Sequence, residues 1–407
     1  MDAAETAPIV RRTARVVGLC LLVIVLDGFD MLVIALTAPA LAVDWGLSGQ
    51  SLAPLFAAGV IGMIGGSVFI APLGDRLGRV RVLMLCCALF GVFAGLTALA
   101  DSYAGLLVLR LLTGFGLGGA VPNATALISE HASNRQRPLM VSIGLVGFAL
   151  GGMLCALLAV PLVPRFGWRV MYVIGGVLPL LLIPVLHRFL PESPTLRSST
   201  KAPAEKFSQR VRLLFAPGLA GDTQRLWLAF FVNMMVMFFL ANWVPYVAQQ
   251  VGFGPRQGSL AALALNVGGI VGPLILAVVC QHLDARRVIG AAFVAAAASM
   301  VGVGYATGSF GIYLAVAALA GFFVFGAQIT LHGLAAAVYP GHLRATGIGW
   351  ALGCGRIGSV LGPLLGGQML NSGVALSTYF TGFGAALLLA AAATFSLTRR
   401  ALDGHET

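Results

Sequence analysis

Two carboxylates, Asp27 and Asp30, stand three residues apart inside an otherwise apolar run from Val16 to Leu41. They are the only acidic residues that fall within a membrane-length apolar run of this chain. A carboxylate at the centre of a bilayer costs about 3 kcal/mol on insertion scales. On a helix the spacing puts both on neighbouring parts of one face, about 4.5 Å apart along the axis. Like charges that close do not both ionise cheaply, so the pair suits a group that takes up and releases a proton. Two arginines also lie inside apolar runs. Arg356 stands deep in one, where a guanidinium needs an anion: either a helix-one aspartate or the carboxylate of a substrate, which Arg grips through two parallel hydrogen bonds. Arg110 lies in the outer third of another, where it can serve proton coupling or simply neutralise the aspartates. His332 is the one histidine well inside a run; it can relay a proton, hydrogen-bond a substrate, or merely pack.

These side chains must be positioned by membrane helices. Of 407 residues, 59% are hydrophobic and only 10% charged, against about 25% charged in soluble domains. That composition is a polytopic membrane protein and excludes a soluble enzyme. Stretches of about 20 apolar residues span a bilayer as helices. Twelve are read: 16–41, 51–73, 82–100, 104–128, 139–161, 169–190, 225–248, 259–281, 288–307, 312–339, 346–370 and 376–398. The polar stretch 191–224 divides the chain into six-helix halves, 1–190 and 225–407. Arg165, Arg169 and Arg256 fall on one side of the membrane, and Arg110 and Arg356 lie within spans. The rest of the 25 Lys+Arg fall on the other side, which the positive-inside rule makes cytoplasmic, together with both termini and the 191–224 loop. The net charge of +11 therefore reports topology, not nucleic-acid binding. No cleavable leader is read, because the first run is too long and continues into the fold. The six cysteines (Cys20, Cys86, Cys87, Cys155, Cys280, Cys354) all sit in apolar runs. They read as packing or lipid-facing sulfur, with no disulfide or metal pair among them.

The halves are weak repeats: APLGDRLGRVR follows the second span and CQHLDARRV the eighth, each with an Asp (Asp75, Asp284) before arginines. Repeated halves suggest alternating access to a site near the midplane between them. GDRLGR at 74–79 resembles the signature loop of the major facilitator superfamily, with Ala71 and Val80 departing from its usual Gly and basic residue. Within it, DGFD at 27–30, RLLTGFGLGGAVPNATALISE at 110–130, LPESP at 190–194, NWVP at 242–245 and YPGHLRATGIGWALGCGRIGSVLGP at 339–363 resemble the aromatic acid:proton symporters. The short central loop and NWVP are most similar to carriers of hydroxybenzoate and hydroxyphenylpropionate.

The resemblance implies the major facilitator fold and import of an aromatic acid with a proton across the bacterial inner membrane. It implies a monomer whose driving force is the proton gradient, with no cofactor or metal. Asp27, Asp30 and Arg110 would couple the proton. Arg356, His332, Trp243 and Asn242 would bind substrate, the last two exposed to a cavity if the seventh helix breaks at Pro245. Trp243 and Tyr246 read equally as an interfacial aromatic belt. Asp75, Arg76, Arg79, Glu130 and Arg344, on the cytoplasmic face, read as gate and latch residues. The glycines at 114, 116, 118 and 119 read as close helix packing, since no strand precedes them to build a phosphate cradle. A drug/proton antiporter is disfavoured because the fifth span lacks a Gly-Pro motif, and a sugar symporter because RxGRR is not repeated in 282–287. A sensor or membrane enzyme would need clustered ligands or a soluble domain, and neither is read.

Overall fold

The computed structural model describes residues 3–132, 137–192, 211–340 and 343–397. Most of 191–224, the basic residues Arg135, Arg399 and Arg400, and the side chains of Arg11, Arg12, Arg137 and Arg344 lie outside the described residues. Among those described, twelve helices are long and apolar enough to cross a membrane. The chain forms two compact units, Met1–Thr200 and Lys201–Thr407.

The first unit contains α1 (Ala3–Trp45), α2 (Gly49–Phe69), the one-turn α3 (Gly74–Leu77), α4 (Arg79–Thr97), α5 (Tyr103–Gly118), α6 (Ala120–His131), α7 (Arg137–Phe166) and α8 (Arg169–Phe189). The second contains α9 (Ala220–Gln250), α10 (Pro255–His282), α11 (Ala285–Tyr305), α12 (Phe310–Val338), α13 (Arg344–Asn371) and α14 (Leu376–Phe395). Helix partners repeat between units. In the first, α1 packs on α7, α2 on α5 and α4 on α8; in the second, α9 packs on α13, α10 on α12 and α11 on α14. In both, therefore, the first span of the unit packs on the fifth, the second on the fourth and the third on the sixth. The sequence carries only a faint trace of this symmetry, because pairing depends on shape and not on motif.

Close backbone approach is what fixes those partners. Lipid tails are as apolar as leucine, so helices associate in a membrane through packing, and small residues permit the approach. A Cβ at Gly28 on α1 would run into the carbonyl oxygen of Phe148 on α7, and one at Gly151 would meet Val25 in return. Gly358 and Gly362 on α13 do the same against Phe231 and Met235 of α9. Neither obstacle is a side chain that can swing away, so Gly28→Leu forces the helices apart. Overpacking of this kind costs about 1–3 kcal/mol or more. Purified Gly28→Leu should melt several degrees below wild type in one detergent, whereas Gly18→Leu, with nothing within 4 Å of its added Cβ, should not.

The helices differ from the sequence reading at two instructive places. The fourth span, read as one run, is two helices that break at Gly119. There a Cβ on Gly118 would meet Met63, and consecutive glycines weaken the helix locally. The seventh span, read as breaking at Pro245, runs unbroken from Ala220 to Gln250. Neighbouring helices support the proline turn: the Tyr313 hydroxyl donates to the Val244 carbonyl at 3.0 Å, and Gly258 lets α10 approach the Pro245 carbonyl. Prolines are tolerated in membrane helices where neighbouring helices hold the turn, and here α10 and α12 both pack on it.

Candidate functional site

Five helices of the first unit converge on one buried charge pair. Asp30 comes from α1 and Arg110 from α5, with side chains only 3% exposed. Arg110 Nη1 donates to Asp30 Oδ2 at 3.3 Å and Nη2 to Oδ1 at 3.5 Å. Both are longer than the roughly 2.7–2.9 Å of a tight charge-assisted pair. Nη2 also donates to Thr113 Oγ1 at 3.2 Å and to Thr97 Oγ1, at the end of α4, at 3.5 Å. The guanidinium lies over the Tyr172 ring of α8, 4.9 Å from its centroid, and Cys155 of α7 lies within electrostatic range of Asp30. Tyr172 shares a 3.1 Å hydrogen bond with Thr37 of α1, whose hydroxyl donates to the Val33 carbonyl at 2.7 Å. Arg110 thus has a carboxylate on one side and a ledge of hydroxyls and an aromatic face on the other. A cation supported on both sides keeps neutral contacts when the carboxylate changes charge.

Asp27 is buried one turn earlier on α1, within electrostatic range of Cys86 and Cys87 on α4. Those cysteines are fully buried, so their sulfur packs inside the unit and does not face lipid. Asp30 thus has Arg110 beside it, and Asp27 has Cys86 and Cys87 among its neighbours.

In the second unit, α9 lies between the other two candidate helices. Gly355 and Gly358, on either side of Arg356 on α13, approach Phe230, Phe231 and Met235 of α9. From α9, the Phe230 ring meets His332 of α12 edge-on at 5.1 Å. His332 Nδ1 is 2.6 Å from the Gln328 carbonyl, one turn back. Arg356 and His332 thus share one level of the unit. Trp243 is 1% exposed and its indole N–H donates to the Pro363 carbonyl at 3.0 Å; Tyr246 stands edge-on to it at 5.6 Å. The tryptophan joins α9 to α13 and is not on an exposed aromatic belt. Asn242 is buried too and turns its amide back to the Phe238 carbonyl at 2.8 Å.

Comparison with known proteins decides what this frame is. The model of the Major Facilitator Superfamily matches residues 20–254 and 226–406. The chain belongs to the major facilitator superfamily. It resembles in particular that superfamily's hydroxybenzoate and hydroxyphenylpropionate carriers. It is 35% identical to the 3-(3-hydroxy-phenyl)propionate transporter of Escherichia coli, over 96% of this chain and 95% of that one. Identity is 34% to the 4-hydroxybenzoate transporter PcaK of Pseudomonas putida (98% and 94% covered) and 32% to the gallate transporter of the same species (96% and 93%). A D-xylose–proton symporter of known structure superposes with a TM-score of 0.80 at 18% identity, covering 96% of this chain and 99% of that one; at that identity the likeness concerns the fold. The chain is thus a multi-pass membrane protein of a family of carriers, not of enzymes.

The GDRLGR segment at 74–79 is held by a small cluster of ion pairs and hydrogen bonds. Gly78, at φ 103°, turns the chain between α3 and α4. Arg79 pairs with Asp75 at 3.0 Å and with Glu130 of α6 at 2.8 Å. Glu192, beyond α8, accepts from the Val80 amide at 3.1 Å and fills the space beside Gly78. Asn123 donates to the Ala71 and Gly119 carbonyls at 3.2 and 2.8 Å. Arg76 is exposed. The two pairs of Arg79 are unequal: Asp75 is 69% exposed and Glu130 13%. Exposed pairs contribute about 0–1 kcal/mol. Asp75→Ala should therefore leave the melting temperature within a degree or two, and Glu130→Ala should lower it measurably more. Asp284 of the second unit caps α11 instead: it accepts from the Arg286 amide at 3.0 Å and pairs with its guanidinium at 2.8 Å. These hydrogen bonds hold its carboxyl below the ordinary carboxylate range, and Arg286 also reaches the Leu397 carbonyl at 2.7 Å.

Several residues of these clusters escape sequence reasoning. Thr97, Thr113 and Tyr172 are unremarkable polar residues within apolar runs, and nothing in their spacing points to Arg110. Asn233 and Gln328 are equally silent. Glu192 did carry a signal, as an acid fixed in LPESP just past a span.

Proposed function

We propose that this carrier imports an aromatic carboxylate together with at least one proton, by alternating access. The buried Asp30–Arg110 pair carries the reading, in a chain whose relatives at 32–35% identity are named for gallate, 4-hydroxybenzoate and hydroxyphenylpropionate. Arg356 clamps the substrate carboxylate, with His332 beside it on the same level of the second unit. Asp30, with Asp27 one turn away, takes up the proton. A neutral Asp30 loosens its hold on Arg110, which falls back on Thr97, Thr113 and Tyr172, and the loaded carrier turns inward. Release to a near-neutral cytoplasm returns the proton and restores the pair. The carrier works as a monomer in the inner membrane, with both termini and the central segment cytoplasmic, as the arginine distribution requires. Its only energy source is the proton gradient.

The test is uptake of radiolabelled hydroxybenzoates, a phenylpropionate, a sugar and an aliphatic acid into cells expressing the chain. Accumulation of an aromatic acid, greater at acidic external pH and lost with an uncoupler, is the expected result. Unchanged accumulation after collapse of the proton gradient would remove the coupling. Accumulation below that of empty cells would mean export.

A further inference from the structure

We infer that Gln328 and Asn233 read a ring hydroxyl on the substrate and so set the carrier's preference for hydroxylated over unsubstituted aromatic acids. The inference rests on the proposed aromatic-acid function and adds a site to it. Gln328 is on α12, one turn before His332, and Asn233 is on α9, one turn after Phe230. Both are nearly fully buried, at 5% and 0% exposure. Asn233 Nδ2 donates to the Val324 carbonyl at 3.1 Å and to Gln328 Oε1 at 2.7 Å. The first of these bonds fixes both amides. A backbone carbonyl only accepts, so the Asn233 nitrogen faces α12; the Gln328 oxygen must then accept from it. That leaves one free group on each amide, the Gln328 NH2 and the Asn233 carbonyl oxygen. Neither Gln328 Nε2 nor Asn233 Oδ1 has a hydrogen-bond partner among the described residues.

Two amides that share one hydrogen bond leave behind a donor and an acceptor. A phenolic hydroxyl is the complement of that arrangement, since it accepts from the NH2 and donates to the carbonyl. Buried polar groups are almost always satisfied, so each exception calls for an explanation, and a ligand hydroxyl supplies one here. The pair stands one helical turn along from the level that carries His332, Phe230 and Arg356. An acid whose carboxylate is held by Arg356 can present the far edge of its ring to the amides. A carboxylate there would meet the Asn233 oxygen as a second acceptor, so the position selects a neutral hydroxyl. A site built to hydrogen-bond a hydroxyl rejects the analogue that lacks it, because its own groups are then left unpaired.

The test is uptake by the full chain of 3- and 4-hydroxybenzoate, benzoate and the matching methoxybenzoate. Wild type should favour the better hydroxybenzoate over benzoate at least tenfold. Methoxybenzoate, which accepts but does not donate, should fare no better than benzoate. Gln328→Met, close in shape and without the amide, should reduce the hydroxybenzoate-to-benzoate ratio about tenfold. An unchanged ratio would overturn the assignment, and so would a parallel fall for both acids, which marks a structural role. If Gln328→Met does not reach the membrane, the wild-type series decides alone: equal uptake of hydroxybenzoate and benzoate overturns the inference. Wild type taking up no aromatic acid at all would overturn the proposed function itself, and this site with it.

Discussion

Asp30→Asn should reduce proton-driven accumulation of the aromatic acid to the level of empty cells. Two effects act in the same direction. The substitution removes the group that changes charge, so uptake no longer follows the proton gradient. It also leaves Arg110, 3% exposed, beside a neutral amide. Removing one partner of a buried ion pair costs about 3–5 kcal/mol, mostly through the uncompensated charge that remains. The ledge of Thr97, Thr113 and Tyr172 offsets part of that cost, because those contacts do not depend on the charge of Asp30. The variant should therefore still fold, with a lowered melting temperature, and still exchange labelled for unlabelled acid across vesicles without a gradient. Accumulation that survived in the variant at wild-type level, and still vanished with uncoupler, would move the proton to Asp27. Adding Arg110→Gln to Asp30→Asn should restore part of the lost thermal stability and none of the accumulation. That outcome separates the charge's structural cost from its role in coupling.

Arg356→Gln should raise the KM for the acid about a hundredfold with less effect on the amount of protein in the membrane. A bidentate, charge-assisted pair with a carboxylate contributes about 2–3 kcal/mol in a water-poor site, and 1.4 kcal/mol is a factor of ten. Arg356→Lys keeps the charge and loses the planar fork, so it should recover only a small part of the affinity. Arg356 lies on α13 between Gly355 and Gly358, where the backbone of α9 is too close to permit a shift. A shorter side chain at 356 therefore cannot be brought nearer the substrate by helix movement. The measurement is concentration-dependent uptake of the acid that wild type takes up best. An unchanged KM with a reduced maximal rate would assign the arginine to the conformational cycle and leave the carboxylate clamp to another residue.

The contrast between these two arginines shows what chain order conceals. Each is a single cation in an apolar run, and from the sequence alone both suit either a partner for the helix-one aspartates or a functional charge. Within its own unit each has distinct neighbours. Arg110 meets Asp30 within the first unit, whereas Arg356 lies with His332 around α9 in the second.

Hydropathy, charge asymmetry and motif order determined the class of this protein. Apolar runs of bilayer length require helices, because lipid offers no partner for a free backbone amide. The arginines orient those helices, and Asp27, Asp30, Arg110, Arg356 and His332 stand out because charge is costly in lipid. Each of these signals is local, so each is legible along the chain. What required the tertiary structure was everything that depends on which helices touch. Carbonyl-to-glycine contacts pair α1 with α7 and α9 with α13, and no periodicity in the sequence specifies them. Contacts between helices also buried Trp243 against Pro363 and carried α9 straight through Pro245, where local chemistry pointed to a break. They gave Arg110 its hydroxyl and aromatic ledge, and they brought Asn233 to Gln328 across 95 residues of chain. Polar side chains such as these cost little enough in an apolar run to pass unnoticed; only their neighbours in space give them a role.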